Sequence, residues 1–155
     1  MKSLCMKSLA PLPMMLLACL VIFSPTFVQS TEIFTETLAY ETQRLNLDSG
    51  AVIDATLPGE EDADISFAYN ALRSPNAVML PADTEGIEFS YLWGTAFDSV
   101  TTETLVSLTF STEIVDESFS AGDTFVVRTD TGAVFKLGNA FESEAGVTFD
   151  YSVLE

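Results

Sequence analysis

Side-chain alternation with a period of two recurs along this chain, the spacing that places successive residues on opposite faces of a strand. From Gly146 to Leu154, Val147, Phe149, Tyr151 and Val153 point one way, and Thr148, Asp150 and Ser152 point the other. Gly86 to Trp93 repeats the device, with Ile87, Phe89, Tyr91 and Trp93 on one face and Glu88 and Ser90 opposite. Asp64 to Tyr69 does so again through Ile65, Phe67 and Tyr69. Each pattern predicts a strand with one buried side.

Turn residues punctuate these runs. Asp130-Thr131-Gly132 separates Thr124–Thr129 from Ala133–Leu137 and predicts a hairpin, because Asp bonds its own backbone and Gly accepts positive φ. Asp48-Ser49-Gly50, between Leu45–Leu47 and Ala51–Ile53, predicts a second turn, and Ala121-Gly122-Asp123 a third. Pro58-Gly59, Ser74-Pro75-Asn76 and Pro81-Ala82-Asp83 mark loops. Thr101 to Leu108 departs from alternation: Leu105 and Leu108 share a side with Val100 and Thr104, Thr101 suits an N-cap, and Glu103 favours the first turn. One short helix is expected there, and Thr31 to Leu38 reads as a loose arm. The fold class is all-β: an antiparallel β-sandwich or rolled sheet of about seven to nine short strands with one short helix.

The N-terminus follows another logic. Lys2 and Lys7 precede ten unbroken apolar residues, Met14 to Phe23, and Val28-Gln29-Ser30 offers a small-residue cleavage site. The run is too short for the ~20 residues of a membrane span. Residues 1–30 therefore read as a signal peptide and 31–155 as a single secreted β domain. Leu16-Leu17-Ala18-Cys19 also matches a bacterial lipobox, so lipid anchoring at Cys19 is an alternative, as is an uncleaved anchor.

Cleavage changes the chemistry available. Cys5 and Cys19 both leave, which removes disulfides, thiolate nucleophiles and Cys metal sites from residues 31–155. Four basic residues, Arg44, Arg73, Arg128 and Lys136, then face all 23 carboxylates, a net charge near −19. Such a charge repels phosphate backbones and anionic membranes, so nucleic acid is not an expected partner. Acidity serves either solubility in a salty medium, where screening is short-ranged, or divalent-cation binding. Histidine is absent, which excludes Ser-His-Asp triads, Cys-His pairs and His-containing metal sites. No glycine-rich phosphate loop occurs, and among 23 carboxylates a glycosidase-like spacing arises by chance. An enzyme is not expected.

Carboxylates and aromatics remain. Glu60-Glu61-Asp62-Ala63-Asp64 is the densest acidic cluster, and Glu60, Glu61, Asp62 and Asp64 are the candidate calcium ligands. The alternative is a solvated loop that discourages edge pairing of strands. Tyr91 and Trp93 share the spacing of Ile87 and Phe89 and are expected in the core; exposed, they would form a sugar-stacking platform. Arg128 and Lys136 face each other across the expected hairpin and neutralise nearby carboxylates.

Four stretches taken together carry a resemblance. Leu45-Asn-Leu-Asp-Ser-Gly50, Ala63-Asp-Ile-Ser-Phe67, Val126 to Leu137 (VVRTDTGAVFKL) and Val147-Thr-Phe-Asp-Tyr151 follow in an order that resembles secreted bacterial β modules of the HmuY-like kind. The resemblance implies an all-β exported module. The best-known members of that family hold haem iron through paired histidines or methionines, and this chain departs there: it has no histidine, and Met79 is its only methionine beyond the leader. The expected function is an exported, non-enzymatic binding or envelope-associated module with calcium as its candidate cofactor and a protein or glycan at the cell surface as partner. A purely structural acidic domain is the alternative, and a carbohydrate-binding module or a haemophore-like protein ranks below it.

Overall fold

The computed structural model describes residues 32–55, 62–72, 77–82, 86–112 and 119–154. The expected leader, with its lipobox match and expected cleavage site, lies outside them. Alternation becomes strand where it was strongest: β4 (Ile65–Tyr69), β6 (Glu88–Leu92) and β9 (Gly146–Val153). The Asp-Thr-Gly turn closes β7 (Thr124–Arg128) onto β8 (Val134–Ser143), and the Asp-Ser-Gly turn closes β2 (Gln43–Asn46) onto β3 (Ala51–Asp54). Two further strands are β1 (Phe34–Leu38) and β5 (Ala77–Pro81).

These strands form two antiparallel sheets, ordered β1-β9-β8-β7-β6 and β3-β2-β4-β5. Their facing sides bury Leu45, Ile65, Phe67 and Met79 against Phe89, Phe125, Leu137 and Phe149 in one cluster. Phe119 joins it from the chain before β7, stacking on Phe67 with centroids 5.7 Å apart and meeting Phe125 edge-on at 5.2 Å. Contacts of this kind add to what burial alone contributes. The all-β sandwich is thus the architecture of the described chain.

A thin third layer covers the outer face of the β7–β9 sheet. It contains two 3-10 turns, Phe97–Ser99 and Thr102–Ser107. The second is the expected helix in its tighter form, as suits a short segment rich in Thr and Val. Val100 packs on Val126 and Leu154, with Leu105, Leu108 and Phe110 around them. Lys136 Nζ holds this layer down by donating to the carbonyls of Phe97 and Val100 at 3.0 and 2.9 Å, and it lies over the Phe97 ring. Arg128 lies over the Phe110 ring, 3.9 Å from its centroid, and pairs with Glu88. Gly138 makes room for the layer, because a Cβ there would stand 2.9 Å from Phe97 Cβ.

Several expectations are corrected. Phe34–Leu38 is no loose arm: it pairs along β9 from Phe34↔Tyr151 to Leu38↔Val147. Arg128 and Lys136 are not opposite each other, since Val134 faces Arg128 and Val126 faces Lys136; only Arg128 neutralises a carboxylate by direct pairing. Trp93 is 82% exposed. Its strand ends at Leu92, and the Trp93-Gly94 turn, with Gly94 at φ 64, breaks the alternation that placed Trp93 inside. Tyr91 is half-buried, packed against the core. β5 went unread because Ala77, Val78 and Met79 are consecutively buried rather than alternating. Pro81 is tolerated there as the last residue of an edge strand.

Candidate metal centre

Antiparallel pairing brings distant carboxylates to one end of the sandwich. Leu45 of β2 faces Ile65 of β4, so the end of β2 lies beside the start of β4. The β2–β3 turn therefore places Asp48 next to Asp64, the residue that enters β4. The β7–β8 turn of the other sheet brings Asp130 to the same place. Carboxylate oxygens of Asp48, Asp64 and Asp130 all lie within 4.8 Å of one another.

Backbone and side-chain bonds fix this end. Asp64 is only 2% exposed, and its Oδ2 accepts the Leu47 N–H at 2.6 Å. Its own N–H donates to the Leu45 carbonyl and its carbonyl accepts from Ala82 N–H, both at 2.9 Å. Thr131 Oγ1 stands 3.1 Å from each oxygen of Asp48, and Thr129 Oγ1 stands 3.3 Å from Asp48 Oδ1. Asn46 organises the turn: its Oδ1 accepts from Ser49 N–H and Oγ–H at 2.7 and 2.8 Å. Its Nδ2 donates to the Asp62 carbonyl at 2.6 Å.

Electrostatics follow from that crowding. Burial raises the Asp64 pKa to about 6, the neighbouring charges of Asp48, Asp130 and Asp62 add to the rise, and the Leu47 N–H offsets part of it. A buried carboxylate beside two others is unfavourable when ionised unless a cation joins it. Three hard oxygen donors with neither nitrogen nor sulfur suit a group-2 cation. Calcium accepts irregular sets of carboxylate and carbonyl oxygens at about 2.3–2.6 Å, whereas magnesium demands a near-ideal octahedron and sheds its waters reluctantly. Calcium is therefore the better fit to carboxylates gathered from three separate loops.

Of the four residues singled out in the acidic run, Glu60 and Glu61 lie outside the described residues. Asp62 is exposed and contributes its charge and its carbonyl, whereas Asp64 turns inward. The partners of Asp64 are thus Asp48 and Asp130, each the first residue of an Asp-[Ser/Thr]-Gly turn. That repeated tripeptide was visible in the sequence, but its convergence on Asp64 required the strand pairing.

A second carboxylate is organised differently. Asp123 is 5% exposed, and burial opposes its ionisation. Hydrogen bonds from Gly94 N–H and the Ser120 and Tyr91 hydroxyls outweigh burial and hold its pKa below the ordinary value. These bonds fix the turn on which Trp93 projects. Comparison of the chain with protein-family models, characterised proteins and solved structures finds no match in any of the three.

Proposed function

We propose that this chain is an exported, non-enzymatic β module that binds calcium through Asp48, Asp64 and Asp130. The observation carrying this reading is the burial of the Asp64 carboxylate within 4.8 Å of two others. A solvated acidic loop needs no such burial, and a carboxylate kept only for solubility belongs on the surface. Asp62 strengthens the negative field around Asp64 in this reading. Export rests on the leader, with cleavage before Thr31 or lipidation at Cys19, and on the resemblance to HmuY-like modules, which implies an all-β exported module. Haem is not part of the proposal, since Met79 is fully buried in the core and histidine is absent.

Thermal melting tests the calcium reading. Calcium at 100 times its dissociation constant should stabilise the fold by ~2.7 kcal/mol over EDTA, several degrees for a domain of this size. Magnesium at equal concentration should give a smaller shift. Equal shifts from calcium and from sodium chloride of matched ionic strength would reduce the effect to screening and remove the proposal.

The exposure of Trp93 favours a second reading, carbohydrate stacking on a rigidly presented indole. Trp93 is the single tryptophan, so its fluorescence reports on the site directly. Envelope oligosaccharides should quench or shift that emission saturably, and Asp123→Ala, which frees the turn, should weaken them about tenfold or more. Unchanged emission across neutral and acidic glycans would leave the indole without this role.

A further inference from the structure

A groove of about 450 Å³ opens beside the β2–β3 turn, between that turn and the adjacent strands β1, β9 and β8. Its volume lies within the range of small-molecule sites. Phe34, Phe135 and Tyr151 supply an aromatic wall, and Phe34 stacks on Tyr151 with centroids 5.3 Å apart and planes at 27°. Phe34 remains 41% exposed, so part of its ring is available to an incoming group. Gly50 keeps the floor open: a Cβ there would stand 3.2 Å from Tyr151 Oη. Among the described residues lining the groove, the only charged ones are Glu36 and Asp48, both carboxylates.

An aromatic wall with two acids and no base is complementary to one ligand chemistry. Glu36 accepts from the Thr37 N–H and Asp48 from Thr129 and Thr131, all neutral donors. A neutral apolar molecule would bring these carboxylates no counter-charge, and an anion is repelled. The geometry points to a small organic cation, an ammonium carried on an apolar or aryl body, as the ligand of this groove. Its body lies along Phe34 and Tyr151 while its charge meets Glu36 and Asp48, so cation–π and ion-pair attraction act together. The charge of Glu36 reaches the floor, where it assists burial in raising the Tyr151 pKa and keeps the phenol protonated as a donor. The surplus of acids over bases across the chain concentrates cations at its surface and adds to the encounter rate. The groove shares Asp48 with the carboxylate triad, whereas Glu36 and Phe34 take no part in it, so the inference goes beyond the calcium reading and variants at those two residues test it separately.

Amide NMR of the purified protein in EDTA tests it with three probes sharing one aryl body: benzylammonium, benzyl alcohol and benzoate. Benzylammonium should shift the amides of Phe34, Ser49, Gly50 and Val153 saturably. Benzyl alcohol should bind at least about tenfold more weakly, and benzoate should not bind. Glu36→Gln preserves the strand and should weaken benzylammonium about fivefold, while leaving the calcium-dependent melting shift in place. Phe34→Ala should weaken it further. Equal binding of the alcohol would make the groove merely apolar, and diffuse unsaturable shifts would make benzylammonium a counter-ion; either overturns the proposal. So would an unchanged affinity in Glu36→Gln.

Discussion

Gly146→Ala should destabilise the protein by about 3 kcal/mol or more, among the largest effects of a single methyl group. Gly146 opens β9 at φ 143, a conformation L side chains rarely adopt. A Cβ added there would stand 2.0 Å from the Leu38 carbonyl oxygen and 2.8 Å from Ala39 Cα. Both obstacles are backbone, so no side-chain rotation relieves them. The chain after β1 must move away, which strips β1 from β9, its only partner among the described strands. The midpoint of thermal unfolding should fall by roughly 10 °C, with hydrogen exchange accelerated first along Phe34–Leu38. Gly122→Ala is the control: its added Cβ meets nothing within 4 Å, and its cost should stay within about 0.5 kcal/mol. A Gly146→Ala protein as stable as the control would mean that β1 does not lie on β9 as described.

Asp64→Asn should act in the opposite direction in EDTA. Between the unfolded pKa of 3.8 and the folded value of about 6, the folded chain holds a proton on Asp64 that the unfolded chain has released. The contribution of this group to stability is therefore complete below pH 3.8 and is lost as pH rises to about 6. The asparagine side chain keeps an acceptor for the Leu47 N–H and removes the charge that burial, Asp48, Asp130 and Asp62 oppose. Above pH 6 the variant should be more stable than the parent by up to about 3 kcal/mol, and the difference should vanish towards pH 3. Denaturant melts across that range in EDTA measure it. A variant less stable than its parent at pH 7 without metal would show that the buried charge is already compensated.

That inversion carries the functional argument. A residue that costs stability in the free protein is tolerated where it serves binding, and calcium should reverse the order of the two proteins by rescuing only the parent.

The fold was legible where burial is one-sided. β4, β6 and β9 each have one face in the core, so their alternation announced them, and the two Asp-x-Gly turns announced the hairpins. Legibility failed where another rule governs. Phe34–Leu38 carries Thr-Glu-Thr between its apolar ends and becomes a strand because β9 offers it an open edge, a tertiary cause. Trp93 continues a period that stops one residue earlier, at a turn held by a carboxylate far along the chain. The candidate site was half legible. Asp64 stood in the acidic run, but its burial depends on β2 and β4 pairing at Leu45↔Ile65, and Asp48 and Asp130 looked like ordinary turn residues.

Calorimetric titration of the metal-stripped protein with calcium bears most directly on whether these carboxylates form a site. One calcium ion per chain should bind, Asp64→Asn should weaken it at least about tenfold, and Asp62→Asn should change it little. Absence of binding, or equal affinity in the Asp64→Asn protein, would contradict the assignment.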